Sequence, residues 1–129
     1  MPQTFIEFLV EKKLVDAQTA AELAGKARLM REPIGMIAVG HGLLAVPEID
    51  EILDRQKVSE ERFGEIAVAM GYLTRGQVNT LVSIQDLRAS VVLAEVLALA
   101  QVVSFDEVVR SLGAYLACDA EVASILGCG

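Results

Sequence analysis

Two similar blocks of 24 residues, separated by five residues, constrain this chain more than any other feature of its sequence. The first block covers residues 33–56 and the second covers residues 62–85. Equivalent positions lie 29 residues apart, so both blocks are expected to fold in the same way. The shared positions pair Gly35 with Gly64, Ile37 with Ile66, Ala38 with Ala67, Val39 with Val68, Gly42 with Gly71, Leu44 with Leu73, Leu53 with Val82 and Gln56 with Gln85.

The same spacing continues, more weakly, on both sides of the blocks. Residues 4–32 and, after one extra residue, residues 92–115 keep the apolar pattern but lack glycine at the paired positions. Repetition of this length is typical of one supersecondary unit stacked on its copies. The sequence therefore predicts four related units, two specialised in the middle and two degenerate at the flanks.

Each unit has the pattern of a short helix, a tight turn and a longer helix. Apolar residues at helical spacing run from Phe63 to Met70 in the third unit. Gly71 follows and suits the left-handed conformation that ends a helix. Residues suited to a helix start then open the longer helix of each unit: Asp16, Ala45 followed by Pro47, Thr74 with Gln77, and Ser104 with Glu107.

The composition favours helices over sheets. Hydrophobic residues make up 53% of the chain and aromatic residues only 5%, so Ala, Leu, Val and Ile must form the core. We expect an all-α fold of tandem helical hairpins, with about eight helices in one compact bundle. The length of 129 residues agrees with a single domain over residues 1–129.

Charge and hydropathy restrict the partners. A net charge of −7 argues against a polynucleotide, which needs clustered cations to displace phosphate counterions. The N-terminus has no secretory signal pattern. The most apolar stretch, Val91 to Val103, is shorter than the roughly 20 residues that span a bilayer. We therefore expect a cytoplasmic protein with no membrane span.

Few residues carry reactive chemistry. The chain has no GxxxxGK[ST] phosphate loop and no nucleophile beside a general base, so we expect it not to be an enzyme. His41 is the only histidine, and Cys118 and Cys128 do not have the spacing of a zinc site. No metal site and no cofactor are predicted.

The two central blocks resemble the tandem motif of the MshEN domain, the N-terminal domain of type II secretion and type IV pilus assembly ATPases. That motif runs RLGxxLVxxGxIxxxxLxxxLxxQ twice with a five-residue spacer, and the strong resemblance covers residues 33–85. Pro33 stands where the first copy has arginine. The second block keeps Arg62, Gly64, Ala67, Val68, Gly71, Leu73, Val78, Leu81 and Gln85, with Phe63 for leucine, and the first keeps Ile34, Gly35, Ala38, Val39, Gly42, Leu44, Ile49, Ile52 and Gln56.

This resemblance implies a stand-alone sensor module that binds the bacterial second messenger cyclic di-GMP. The module would act through an output protein of a secretion, pilus or motility system. Arg31, two residues before Pro33, is the candidate substitute for the missing arginine. The remaining ligand-binding residues that the resemblance implies are Ile34, Gly35, Ala38, Gly42, Gln56, Arg62, Phe63, Gly64, Ala67, Gly71 and Gln85.

The resemblance also implies a role for each kind of residue. Arg62 would donate two parallel hydrogen bonds to a guanine edge or stack on its face. Gln56 and Gln85 would bind a base edge or hold the loop that does. Gly35 and Gly64 would bring backbone N–H groups close to a phosphate, and Ala38 and Ala67 would leave room for purines against Ile37 and Ile66.

Simpler interpretations stand beside these roles. The paired glycines also suit turns in a helical hairpin, and the two glutamines also suit solvent-facing helix ends. Arg62 could pair with Glu61 or Glu65 in an exposed contact. As a whole, the chain could be an interaction or scaffold module of a secretion, pilus or motility system that has lost nucleotide binding. The missing arginine at position 33 favours this alternative.

Overall fold

The computed structural model describes residues 4–118, and within this range every regular element is an α-helix. The all-α prediction is therefore confirmed for the described residues. The described helices are α1 (Phe5–Glu11), α2 (Ala17–Arg28), α3 (Ile34–Gly40), α4 (Val46–Lys57), α5 (Phe63–Ala69), α6 (Arg75–Leu99) and α7 (Phe105–Cys118). Cys128 lies outside the described residues.

Residues 4–118 contain seven helices, whereas the sequence predicts about eight for the whole chain. The difference arises in α6, which is 25 residues long. The repeat predicts that the longer helix of the third unit, which opens at Thr74 and Gln77, ends before the fourth unit begins at residue 92. No glycine or proline separates these two stretches, and the backbone hydrogen bonds continue through them without a break.

Side-chain caps begin most of the longer helices where the sequence predicts them. Thr74 Oγ1 accepts a hydrogen bond from the Gln77 backbone N–H at 3.0 Å, and the Thr74 N–H donates to Gln77 Oε1 at 2.9 Å. Asp16 accepts from the Thr19 backbone N–H at 2.8 Å, and Ser104 Oγ accepts from the backbone N–H three residues later at 3.2 Å. These contacts satisfy N–H groups that a helix start leaves without partners.

Two glycines end the short helices of the central blocks. Gly42 has a φ of 73° and Gly71 a φ of 80°, both in the left-handed region that costs other residues energy. Each lies in the turn immediately after a short helix, α3 or α5. The turn role predicted for this pair is confirmed.

The chain divides into two compact units. One unit is formed by residues 32–88, which include the two blocks, and its apolar core is separate from that of the other unit. The single domain predicted for residues 1–129 is not tested by this division and stays a prediction. The buried core of the 32–88 unit consists of Ile37, Ala38, Leu44, Ile52, Ile66, Ala67, Leu73, Val78 and Leu81.

The other unit is formed by residues 1–31 and 89–129, of which residues 4–31 and 89–118 are described. It therefore contains most of the two degenerate flanking units of the sequence. Phe5 and Phe8 both lie against the ring of Tyr115, with centroid distances of 5.3 and 5.7 Å. The buried core of this unit consists of Phe5, Leu9, Val15, Ala20, Leu93, Ala94, Leu97, Val103 and Val108.

Burial follows the spacing of the sequence. Each predicted unit has a fully buried residue at the same place in its first helical stretch and another buried residue before its last helix. In the fourth unit the first stretch is the C-terminal part of α6. That the four units are structural copies of one another nevertheless stays a prediction. The equivalent buried residues are Leu9, Ala38, Ala67 and Leu97 in the first set and Val15, Leu44, Leu73 and Val103 in the second.

Candidate functional site

The two block-terminal glutamines hold the segments that precede the two blocks. Gln85 Nε2 donates a hydrogen bond to the backbone oxygen of Glu32 at 3.0 Å. Gln56 Nε2 donates to the backbone oxygen of Glu61 at 3.4 Å, a longer and weaker contact. We call residues 32–33 the first start segment and residues 61–62 the second start segment. Each acceptor is the residue immediately before a block, so the two contacts are equivalent.

Each of these contacts connects the end of one block to the segment before the other block. The Gln56 contact reaches the second start segment, which is only five residues ahead in sequence. The Gln85 contact reaches back across 53 residues to the first start segment. Gln56 lies in the last turn of α4, but Gln85 lies inside α6 and not at a helix end. Both side chains are half-buried and hydrogen-bonded, which agrees with the predicted role of holding a loop.

Arg62 is an exposed cation at the second start segment. It is the residue before α5, and its side chain makes no capping hydrogen bond. Within the described part of the chain, its guanidinium has no hydrogen bond or ion pair, so the predicted pairing with Glu61 or Glu65 is not found there. Its N–H donors are therefore available to a bound molecule.

The first start segment differs because Pro33 takes the position equivalent to Arg62. Pro33 has a φ of −65° and precedes α3 without a side-chain cap. The cation at this segment is Arg88, whose Nη1 lies 2.6 Å from Glu32 Oε1. Both side chains of the pair are nearly half exposed. Solvent screens such a contact, so its contribution to stability is small.

Arg31, the predicted substitute, is exposed and lies in the residue range of the other unit. It makes an interaction of its own and is not a free cation. Its proposed contact with a ligand is not tested by this geometry and stays a prediction. Arg88 was missed by the sequence reasoning because it lies three residues beyond the second block, where the motif places nothing.

Helix packing accounts for the first glycine of each block. Gly35 is buried, and a Cβ atom there would lie 3.0 Å from Cζ of Phe63. Gly64 is also buried, and a Cβ atom there would lie 2.6 Å from Cγ1 of Val78. These glycines let helices approach closely. Contact with a phosphate would be an additional role, and it stays a prediction.

The remaining predicted contact residues differ in accessibility. Ala38 and Ala67 have an exposed fraction of 0%, and Ile37 and Ile66 lie in the same core. A purine at these positions would require the helices to move apart, so this contact also stays a prediction. Ile34 and Phe63 are half-buried at the starts of α3 and α5. Gly42 and Gly71 are exposed, but they lie at the opposite ends of these helices, about 10 Å away along the axis.

A second pair of side chains connects α4 to the turn after α5. The Tyr72 hydroxyl donates a hydrogen bond to Glu51 Oε2. This hydrogen bond raises the pKa of Tyr72 above its usual value, and burial and the nearby carboxylates of Glu51 and Glu48 raise it further. Neither residue of the pair was predicted, because the two blocks have different residues at these positions.

A shallow groove lies in the other unit, between α1 and α7. Its volume is about 450 Å³, and its charged lining residues are Lys12, Arg110 and Glu107. The Lys12 ammonium also lies 5.5 Å from the centre of the Phe8 ring. The full lining is Phe8, Lys12, Leu14, Glu107, Arg110, Ser111 and Ala114.

Comparisons with known proteins identify no relative of this chain. No family model matches the chain, and no match was found among curated proteins or solved structures. The described residues contain no cluster of His, Cys, Asp and Glu that would hold a metal ion. None of the helices within residues 4–118 is long and apolar enough to cross a membrane.

Proposed function

We propose that this chain is a cyclic di-GMP binding module, built from four related helical units, that acts through a partner protein. The observation that carries the proposal is the equivalence of the Gln85 and Gln56 contacts with the two start segments. Cyclic di-GMP has two identical halves, so a site with two equivalent start segments can present similar groups to both. The partner would belong to a secretion, pilus or motility system.

The chemistry of Arg62 supports a guanine ligand. The guanine edge offers two acceptors, O6 and N7, to which an arginine donates two parallel hydrogen bonds. Adenine has an amino donor in place of O6, so the same arginine would be mismatched. Arg62 is exposed and has no partner within the described residues, so binding would not require an existing ion pair to break.

Titration calorimetry with cyclic di-GMP tests the proposal. The wild-type chain should bind, Arg62→Ala should weaken binding by about tenfold or more, and cyclic di-AMP should bind much less tightly. Arg75→Ala is the matched control, because Arg75 is also an exposed arginine at a helix start and lies outside both start segments. No detectable heat for the wild type at about 100 μM ligand would reject the proposal.

A second function is favoured by the close packing of the small residues in the two blocks. Gly35, Gly64, Ala38 and Ala67 are all used in helix contacts, which is sufficient reason for their presence without a nucleotide. Under this alternative the chain is an interaction or scaffold module. Arg62→Ala would then leave its function in cells unchanged. Neutralising the exposed acidic residues Asp106 and Glu107 on α7 would instead disrupt a complex with the partner.

A further inference from the structure

We infer that Arg88 is the second ligand-binding arginine of the site and that Glu32 holds it when no ligand is bound. This inference rests on the proposed function. It concerns the half of the site where Pro33 leaves the first start segment without a donor side chain. The juxtaposition of Gln85, Arg88 and Glu32 carries the inference.

Gln85 and Arg88 reach the same residue from one face of α6. They are three residues apart in a helix, a spacing that places side chains next to each other. Gln85 binds the backbone oxygen of Glu32 at 3.0 Å, and Arg88 binds its carboxylate at 2.6 Å. The glutamine contact therefore fixes the first start segment beside the guanidinium of Arg88.

Each start segment consequently has one arginine in it or in contact with it. At the second segment the arginine is part of the segment itself, Arg62. At the first segment it comes from α6, as Arg88. A ligand with two guanines and two phosphates needs a donor in each half, and both arginines belong to the 32–88 unit. Arg31 belongs to the other unit and has an interaction of its own.

Glu32 competes with a ligand for the guanidinium of Arg88. Its carboxylate accepts a hydrogen bond from Nη1, one of the guanidinium donors that a guanine or phosphate would use. It also places a negative charge beside an anionic ligand, which opposes binding. A ligand that binds Nη1 must displace this contact, and removing the carboxylate should therefore strengthen binding.

Calorimetry on the full chain tests this with a set of variants. Arg88→Ala should weaken cyclic di-GMP binding by about tenfold or more, and Arg88→Lys should not restore it, because lysine cannot donate in the paired geometry. Glu32→Gln should tighten binding severalfold. In an Arg88→Ala background the Glu32→Gln change should tighten binding less than it does in the wild-type background, because it then removes only the charge of Glu32 and no longer a competing contact. Arg75→Ala should bind like the wild type.

The outcomes separate this inference from the proposed function. If the wild type binds and Arg62→Ala does not, but Arg88→Ala binds normally, the inference about Arg88 is wrong and the proposed function stands. Weakening by Arg31→Ala together with normal binding by Arg88→Ala would assign the first half to Arg31 instead. If the wild type itself does not bind, both proposals are wrong. Circular dichroism melts of each variant establish that loss of binding is not loss of folding.

Discussion

Gln85 Nε2 donates a hydrogen bond to the backbone oxygen of Glu32 at 3.0 Å, across 53 residues of sequence. This contact attaches the middle of α6 to the segment before α3. It is the long-range counterpart of the contact between Gln56 and Glu61. The matching positions of the two glutamines at the ends of their blocks therefore correspond to equivalent geometry at the two start segments.

Replacing Gln85 should destabilise the chain modestly. Gln85→Ala removes the hydrogen bond to Glu32, and water can reach the exposed carbonyl, so we expect a loss of about 0.5–1 kcal/mol in the free energy of unfolding. Urea unfolding followed by circular dichroism measures this loss. Asn79→Ala, at an exposed position of the same helix, is the control. Equal losses for both variants would contradict a specific role for the Gln85 contact.

Adding a methyl group at Gly64 should destabilise the chain more strongly. In Gly64→Ala the new Cβ atom would lie 2.6 Å from Cγ1 of Val78, so the Val78 side chain or one of the two helices must shift, at a cost of about 1–3 kcal/mol. Gly113→Ala is the matched control, because Gly113 lies inside α7 with no atom within 4 Å of an added Cβ. That change should stabilise the helix by about 0.5–1 kcal/mol.

A compensating change tests the cause of the Gly64 effect. If crowding against Val78 is responsible, the Gly64→Ala change should cost less in a Val78→Ala background than in the wild type. Both costs are obtained from urea unfolding of the four chains. Equal costs in the two backgrounds would show that the loss does not come from this contact.

Ionisation of Tyr72 should be displaced to higher pH. The hydrogen bond to Glu51 raises its pKa above the ordinary value of 10.0, so the protonated form is stabilised in the folded chain. The stabilisation is complete below pH 10.0 and is lost as the pH rises through the folded-state pKa. Absorbance titration measures this pKa in Tyr115→Phe, where Tyr72 is the only tyrosine. Adding Glu51→Gln to that variant should lower the pKa of Tyr72.

The sequence predicted the local features of the fold well. The glycine that ends α5 and the Thr74–Gln77 cap are specified by neighbouring residues, so pattern and spacing are enough to locate them. The buried positions were predictable for the same reason, since helical periodicity selects one face. The contact of Gly35 with Phe63 was not predictable, because it depends on which helices meet.

The candidate site was less predictable than the fold. Arg62 and the two glutamines follow from the blocks, whereas Glu32 and Arg88 lie just outside them and pair across 56 residues. No local pattern specifies such a pair. The continuity of α6 was predictable in principle, because Ala89 and Ser90 offer no helix-breaking residue. The expected boundary came instead from the repeat spacing, which does not decide whether consecutive helices fuse.

The continuity of α6 makes Ala89 sensitive to glycine. Ala89 is half-buried inside this helix, so Ala89→Gly should lower the free energy of unfolding by about 1 kcal/mol through the greater backbone freedom of the unfolded chain. Ala45→Gly is the control, because Ala45 precedes α4 with an extended backbone, where glycine is tolerated as well as alanine. Urea unfolding of both variants measures the two losses in free energy, provided that the m-value, the slope of that free energy with urea concentration, is unchanged. A loss at position 89 no larger than that at position 45 would mean that the helix is interrupted there.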